Sequence, residues 1–398
     1  MVRQRTVRSG QCAVARGTAT TAPHRSPAHS PLRTAHCLAI ALLFATAAPA
    51  ATFRVFGSAG AEAQLTPANE SSPINPGNLA GVPRTTNVGD ITTFFEALPE
   101  SRAWKIRVKA RADASDRASD TLRIDEGLLQ LNLRTWLDLT AGRVIEKWGA
   151  GYAWNPVGFI SPQRNPTDPN DRRSAYRGLD MLKADVFIRG TNVSLYAMER
   201  GVFAARVYRL IADTDVSLHF RHDRGENREG LSVARVFGNA LELHGEFART
   251  EAQQTYTRAL AGGQYTFPNS VNVVIELYRA GDGFSQAEWD SFRDSVAAAR
   301  TPYELLAANA VYAPLRMARN YGFVRVDIPW SSQKNDLELI AIASFRDGSS
   351  IFRLAYTRKL RPNLTVYAIE TEFAARPGSE LSFVQIERAT VVGMRLYF

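Results

Sequence analysis

Four basic residues at alternate positions of the segment WKIRVKARADA form the most regular run of charge in the sequence. Alternate residues of a β-strand point to the same face, so a strand here would place four cations side by side. Such a face attracts anions when it borders confined water. These residues are Lys105, Arg107, Lys109 and Arg111.

Acidic residues on neighbouring segments could neutralise this basic ladder. Glu126 lies on the next segment, and we expect Glu242, Glu246, Asp215 and Asp336 to point inward as well. Both a net preference for anions and a neutralised interior are open at this stage. The residues that we expect to line an aqueous interior and to set its selectivity are the ladder together with Glu126, Arg143, Glu242, Glu246 and Arg325.

Catalysis and metal binding have little support in the sequence. The pattern Gly-x-Ser-x-Gly and the pattern His-Glu-x-x-His are both absent. On a strand, His219 and His222 would face opposite sides and could not bind one zinc ion together. We expect no enzyme activity, no cofactor and no metal, although a Ser–His pair formed across strands is a residual alternative.

Two further groups of residues each allow two interpretations. Trp148 follows a strand and could offer a flat apolar surface to a sugar ring, but an aromatic anchor at a membrane interface is favoured. Oxygen-bearing side chains in NPTDPND could bind calcium, but the prolines favour plain turn chemistry. These oxygen-bearing residues are Asn165, Asp168, Asn170 and Asp171.

The elements that must position these residues are strands. Beyond residue 100, segments of about ten residues alternate apolar and polar, which is the length of a tilted strand crossing a bilayer. The apolar faces mix Leu and Val with Gly and Ala, and the polar faces carry charges of both signs. This pattern predicts an all-β transmembrane antiparallel barrel with an apolar face on lipid and a polar, wet lumen. An open sheet would leave unpaired backbone groups in lipid.

The strand count follows from the turns. Sixteen strands are predicted between 103 and 398. The long loops 148–179 and 280–318 should lie outside the cell, and the short turns near 212, 238, 267 and 360 in the periplasm. Segments 52–64 and 88–97 add a further pair, so we expect sixteen to eighteen strands.

Loop 280–318 carries the signals of two short helices. Ser285 with Glu288 and Thr301 with Glu304 are capping boxes. We expect the apolar faces of these helices to turn inward and narrow the pore; the alternative is that the helices pack on each other above the barrel. The constriction residues would be Trp289, Phe292 and Tyr303.

The first fifty residues differ from the rest. They hold six arginines and no acid, so the formal charge of +9 falls to +3 without them, and a nucleic-acid partner is not expected. Both cysteines, Cys12 and Cys37, also lie here. Residues 37–50 predict a secretory signal with an over-long basic region before it, so residues 1–50 are a signal peptide and 51–398 one barrel domain.

The terminal segment ATVVGMRLYF resembles the last strand of Gram-negative outer-membrane β-barrels. That resemblance implies an outer-membrane location and a terminal strand recognised by the barrel assembly machinery, with Gly393, Leu396 and Phe398 at the matching positions. The stretch RIDEGLLQLNLRTWLDLTAGRVIEKWGAGYAWNP resembles porin-like proteins of the alginate-export type. Its matching positions are Glu126, Gly142, Arg143, Trp148, Gly149, Asn155 and Pro156.

We therefore expect a porin-like channel for passive diffusion of small polar solutes through the outer membrane. The alternatives are an outer-membrane export or assembly component with a polysaccharide or protein partner, and a barrel enzyme. The sequence does not identify the solute or the oligomeric state.

Overall fold

Eighteen antiparallel strands form a single closed sheet in the computed structural model, which describes residues 51–330 and 332–398. The predicted signal peptide, residues 1–50, lies outside the described residues. The higher of the two predicted strand counts is confirmed. The strands are β1 (Ala51–Leu65), β2 (Thr85–Pro99), β3 (Trp104–Ser115), β4 (Thr121–Arg134), β5 (Leu137–Val144), β6 (Leu179–Ile188), β7 (Thr191–Met198), β8 (Val202–Ile211), β9 (Thr214–Asp223), β10 (Glu226–Phe237), β11 (Leu241–Glu251), β12 (Thr255–Thr266), β13 (Asn272–Ala280), β14 (Asn320–Trp330), β15 (Asn335–Ser344), β16 (Ser350–Arg361), β17 (Leu364–Ala374) and β18 (Arg388–Tyr397).

The first and last strands close the barrel. β1 pairs with β2 on one side and with β18 on the other, in register from Ser58–Tyr397 to Leu65–Thr390. Phe398 extends this seam, because Gly57 and Phe398 exchange backbone hydrogen bonds of 2.8 and 3.1 Å. The terminal residue is thus part of the hydrogen-bonded wall, and no strand edge is left unpaired along the seam.

The distribution of side chains is the reverse of that in a water-soluble barrel. The outward face carries exposed apolar side chains, such as Leu195, Phe220 and Phe352, whereas the buried residues of the inward face include many charges. A face of this kind is stable against lipid and unstable against water. On β18 the alternation is as predicted, with Val392, Met394, Leu396 and Phe398 all exposed on the outward face.

The two ends of the barrel differ in their connections. Short turns join the strands at one end, the turn end, and include the predicted turns near 212, 238, 267 and 360. The opposite end, the loop end, carries every long connection between the described strands. These connections are 66–84, 145–178, 281–319 and 375–387.

Both predicted helices are present in the connection 281–319. The helices are α1 (Gln286–Ala298) and α2 (Pro302–Val311), and each begins with the predicted capping box. Three short 3₁₀ turns occur elsewhere, at Pro76–Asn78, Glu199–Gly201 and Glu380–Phe383. In the part of the chain that the structure describes, no helix has both the length and the apolarity needed to cross a membrane.

Candidate functional site

The candidate site is the barrel interior, and its main feature is the connection 145–178, which we call the lumen loop. It folds between the walls of the barrel and contacts strands from β1 to β15. Trp148 is fully buried and packs on Tyr196 of β7 and His219 of β9, with ring centroids 5.4 and 5.0 Å apart. Trp154 stacks on Tyr278 of β13 at 4.9 Å. The lumen loop therefore crosses the lumen.

The first part of the lumen loop is apolar and forms two clusters with adjoining parts of the wall. One cluster joins Trp148, Val157 and Phe159 to wall residues of β5 to β11. The other joins Ala153 and Trp154 to wall residues of β12 to β16 and to the connections 281–319 and 375–387. Both clusters exclude water from the space that they occupy.

Two buried glutamates of the wall accept hydrogen bonds from the backbone of the lumen loop. Glu246 of β11 accepts from the N–H of Gly151 at 2.6 Å and from the N–H of Val157 at 3.2 Å. Glu276 of β13 accepts from the N–H groups of Tyr152 and Ala153, the latter at 2.8 Å. Because the lumen loop forms no helix or sheet in this segment, these carboxylates satisfy donors that would otherwise be buried without a partner.

The second part of the lumen loop is charged. Arg172 lies 2.5 Å from Glu338 of β15, and the same carboxylate binds Arg325 of β14 at 2.8 Å and Arg353 of β16 at 2.7 Å. Three arginines thus share one buried glutamate. The predicted inward position of Arg325 agrees with this cluster, and its role in selectivity stays a prediction.

On the opposite wall, the same part of the lumen loop contacts the basic ladder. The Lys109 ammonium donates to the carbonyls of Ser174 at 2.5 Å and Tyr176 at 3.1 Å, and Arg111 donates to the carbonyl of Arg173. Arg173 in turn lies 3.4 Å from Asp90 of β2. Lys109 and Arg111, the two residues of the ladder nearer the loop end, therefore bind the lumen loop.

All four cations of the ladder face the lumen, and each lies near an acid. Arg107 lies 3.1 Å from Glu126, and Lys105 lies 3.5 Å from Glu96, which also approaches Arg107. Lys109 lies 3.7 Å from Asp125, and Arg111 lies 2.6 Å from Asp113. The neutralised alternative fits these distances better than a free positive ladder does.

A polar cavity of about 220 Å³ borders the lower part of the ladder, nearer the turn end. Lys105, Arg107 and Lys183 supply its cationic groups, and Glu146 and Asp185 its acids. About a third of the side-chain surface of Lys105 and of Arg107 is accessible there. In this part of the lumen, accessible charged groups border open space.

Arg143 does not line the lumen, and the prediction for this residue is wrong. Thr140 of β5 faces the polar cavity, so Arg143 has the opposite orientation and lies on the outward face. There it forms a two-pronged ion pair with Asp180 of β6, at 2.9 and 2.5 Å. The pairing neutralises an arginine that would otherwise stand unpaired on the lipid face.

Two interpretations of the connection 145–178 are also settled by geometry. The favoured interpretation of Trp148 as a membrane-interface anchor is wrong, because its side chain is buried in the lumen. Asp171 accepts from the backbone N–H groups of Ala175 and Tyr176, and Asn165 accepts from Thr167, so NPTDPND is used as turn chemistry. Among residues 51–330 and 332–398, no group of three or more His, Cys, Asp or Glu side chains could hold a metal ion.

The histidines and the remaining acids are placed as follows. His219 faces the lumen and His222 is exposed beside Asn227, so their predicted opposite orientation is confirmed. Glu242 faces the lumen, as does His244, which lies 3.4 Å from Glu242 and 2.9 Å from Glu276.

The predicted constriction residues of the connection 281–319 divide into two groups. Trp289 and Phe292 are buried, and they pack with Phe383 and Ile74, which belong to the connections 375–387 and 66–84. This cluster, which we call the cap, joins three loops. Tyr303 has 84% of its surface exposed and makes no such contact, so its predicted position in a narrow pore wall is wrong. α1 packs against other loops as well as against α2. The two predicted arrangements were helices turned into the pore and helices packed only on each other, and neither describes this packing.

A buried carboxylate holds the cap to the barrel. Glu380 accepts from the Tyr321 hydroxyl at 2.8 Å and from the Met317 N–H at 3.2 Å, and Arg346 lies 3.8 Å away. Burial raises the pKa of Glu380 above its ordinary value, against the opposing effect of these donors.

Several residues of the site were missed at the level of the sequence. Glu276 and Glu338 are single acids within the apolar stretches VNVVIELY and LELIAIAS. An isolated acid inside a membrane strand is a signal of function or of a buried partner, and it could have identified both residues. Their partners in the lumen loop lie more than 100 positions away in the sequence and could not be identified.

The fold is similar to that of solved porin structures. The crystal structure of Pseudomonas aeruginosa OccK11 (OpdR) matches with a TM-score of 0.58 and 10% identity, over 87% of this chain and 96% of that chain. Two engineered variants of the porin of Rhodopseudomonas blastica match with TM-scores of 0.51 and 0.50 and 10% identity, over 87% of this chain and 100% of those chains. No protein-family model matches the sequence, and no curated protein sequence matches it. Together with the closed barrel and its apolar outer face, these likenesses confirm the predicted porin-like fold, an 18-stranded antiparallel β-barrel.

Proposed function

We propose that the protein is an outer-membrane channel through which small polar solutes pass by diffusion. The observation that carries the proposal is the polar cavity beside Lys105 and Arg107, since it places accessible charged groups inside a closed barrel with an apolar exterior. A wet polar lumen within an apolar wall is the arrangement that lets a hydrated solute cross lipid.

In this proposal the lumen loop is the main constriction. It crosses the lumen and is bound to both walls, so a solute must pass the space that it leaves. The cap on the connection 281–319 is a second narrowing at the loop end, contributed by Trp289 and Phe292.

We further propose that the channel discriminates weakly by charge. Each cation of the ladder has an acid within 4 Å, so no large field of one sign develops along it. The contacts of Lys105, Arg107, Glu126 and Arg325 with opposite charges support this expectation.

The test is conductance in a planar lipid bilayer. The purified barrel should produce discrete current steps, and a salt gradient should produce a reversal potential near zero. Absence of steps from protein that still shifts on a detergent gel after heating would contradict the channel and favour an export or assembly component. A large reversal potential of either sign would contradict weak discrimination alone.

A second proposal concerns assembly in the outer membrane of a Gram-negative cell. The assembly signal would comprise Gly393, Leu396 and Phe398, and the exposure of the last two on the outward face supports it. Gly393 leaves room for the Tyr367 ring, which would lie 2.6 Å from an added Cβ. Deleting Phe398 should slow insertion and leave protein in the periplasm. Insertion at the parental rate would refute a recognition role.

A further inference from the structure

The lumen loop is bound to the β11–β13 wall by an arrangement that the barrel fold itself does not require. Glu246 and Glu276 are 4% and 0% exposed, and each offers both carboxylate oxygens to backbone N–H groups between positions 151 and 157. Three consecutive donors of the loop, at 151, 152 and 153, and a fourth at 157 are thereby bound by two side chains of the wall.

The chemistry of a carboxylate is needed at both positions. Each glutamate accepts on Oε1 and on Oε2, from two different N–H groups. A glutamine of the same size has one acceptor oxygen, and its amide would direct N–H donors at a second backbone N–H. Charge-assisted bonds are also about twice as strong as neutral ones.

The lumen loop is shaped to let the carboxylate approach. Gly149 adopts a φ of +83°, which favours glycine, and a Cβ at this position would lie 2.4 Å from Glu246 Oε1. On the wall side, a Cβ at Gly262 would lie 2.7 Å from the Glu276 side chain. Small residues on both sides therefore make space for the same contacts.

A third group supports the second carboxylate. The His244 ring nitrogen Nε2 lies 2.9 Å from Glu276 Oε1, and Nδ1 lies 3.4 Å from Glu242. The ring thereby restricts the orientation of the Glu276 carboxylate.

We propose that Glu246 and Glu276 are positioning residues that anchor the lumen loop across the barrel and thereby fix the width of the pore. The anchor is a property of the fold, whereas its effect on pore width rests on the channel function proposed above. In this proposal the two glutamates place the first part of the lumen loop, and the contacts of Arg172 and Arg173 hold its second part.

The experiment measures the lumen loop directly and the pore separately. Glu246→Gln and Glu276→Gln are compared with the parent by hydrogen exchange of peptides covering 149–157 and by single-channel conductance. Asp215→Asn is the matched control, because Asp215 faces the same lumen from β9 and its carboxylate accepts a hydrogen bond from the Tyr208 hydroxyl of β8. The heat shift on a detergent gel selects folded barrels.

Loss of one anchor should accelerate exchange in 149–157 by roughly tenfold, as expected when a buried donor loses its partner. Conductance should rise or fluctuate more widely in the same variants, and Asp215→Asn should behave as the parent does. Gly149→Ala should accelerate exchange from the loop side with both glutamates intact.

Unchanged exchange in folded Glu246→Gln and Glu276→Gln would overturn the anchor. The same acceleration in Asp215→Asn would also overturn it, since the effect would then follow from loss of a lumen charge alone. Faster exchange in the two anchor variants, with no conductance from any of the proteins, would support the anchor and contradict the proposed channel. If Glu246→Gln fails to fold, the Glu276→Gln and Gly149→Ala variants decide the matter independently.

Discussion

The two longest connections of the barrel differ in how they fold and in where they pack. The lumen loop, 145–178, has no helix, and it lies inside the barrel with its backbone donors bound to wall carboxylates. The connection 281–319 folds most of its length into α1 and α2, and it packs its aromatic side chains on neighbouring loops. Both emerge at the same end of the barrel, so their positions along the sequence do not explain the difference.

The difference follows from where the backbone N–H and C=O groups of each connection find their hydrogen-bond partners. Most N–H and C=O groups of a helix bond to each other within the helix. Only its apolar face then needs to be buried, and packing against other apolar loops is enough to bury it. A connection without helix or sheet must find acceptors elsewhere, and the charged inner wall supplies them. Secondary structure in a loop therefore decides which part of the barrel the loop can use.

The largest effect should come from replacing either connection. Replacing residues 150–175 by a short Gly-Ser linker should leave β5 and β6 paired, because the two strands bond directly to each other from Leu137–Val186 to Val144–Leu179. Conductance should rise several-fold, because the segment that crosses the lumen is removed. The matching replacement of residues 285–313 should raise conductance less. Single-channel recording in the same salt compares the two. A larger rise from the second replacement would make the cap the main constriction.

The next comparison uses one tryptophan of each connection. Trp148→Ala and Trp289→Ala each remove a side chain that is at most 2% exposed, at a cost of about 3–5 kcal/mol to the local packing. Trp148→Ala should loosen the lumen loop and change conductance. Trp289→Ala should instead increase protease sensitivity in 284–317, with a smaller change in conductance. If Trp289→Ala changed conductance and Trp148→Ala changed mainly protease sensitivity, the connection 281–319 would be the main constriction instead of the lumen loop.

A smaller effect concerns pH and separates the cap from the lumen loop. The pKa of Glu380 is raised in the folded cap, so the folded state binds this proton more tightly than the open state does. Its contribution to cap stability is then fully present below about pH 4.5, the ordinary value, and is lost as pH rises through the raised pKa. The groups facing it are Tyr321, Tyr312, Arg346 and Asp347.

The measurement is hydrogen exchange in α1, corrected for the intrinsic effect of pH, between pH 4.5 and pH 8. Protection should decrease as pH rises in the parent, and Glu380→Gln should flatten this dependence. Glu380→Gln at each pH serves as the reference. A dependence that persists in Glu380→Gln would assign the effect to another group of the cap.

The smallest effect is expected at Tyr303. Its side chain is the most exposed large apolar group of α2, so Tyr303→Ala should change stability by no more than about 0.5 kcal/mol and leave conductance at the parental value. Phe292→Ala, in the buried face of the neighbouring helix, is the comparison. A clear change in conductance from Tyr303→Ala would indicate that this residue lines the pore after all.

Much of the fold could be predicted because strand and turn signals are local. Alternation over about ten residues identified the strands, and the turns near 212, 238, 267 and 360 fixed which end of the barrel each connection occupies. The capping boxes of Ser285 and Thr301 identified both helices. Each of these signals is contained within one element and its flanks.

The orientation of Arg143 shows where such local reasoning stops. In the stretch LTAGRV the inward residues are Thr140 and Gly142, which carry no charge, so the arginine was the natural candidate for the lumen. Its partner Asp180 lies beyond the whole lumen loop and reaches it only through the pairing of β5 with β6.

The sequence by itself determined the closed barrel, its number of strands within one pair, its apolar exterior and its terminal seam at Phe398. Period-two alternation and the need to pair every backbone group in lipid leave few other solutions. Only the tertiary structure decided which connection enters the lumen. That choice depends on Glu246, Glu276 and Glu338 meeting residues 151–172, and these contacts exist only after the wall has closed around them. Contacts of this kind join residues about 90 to 170 positions apart, and no local pattern encodes them.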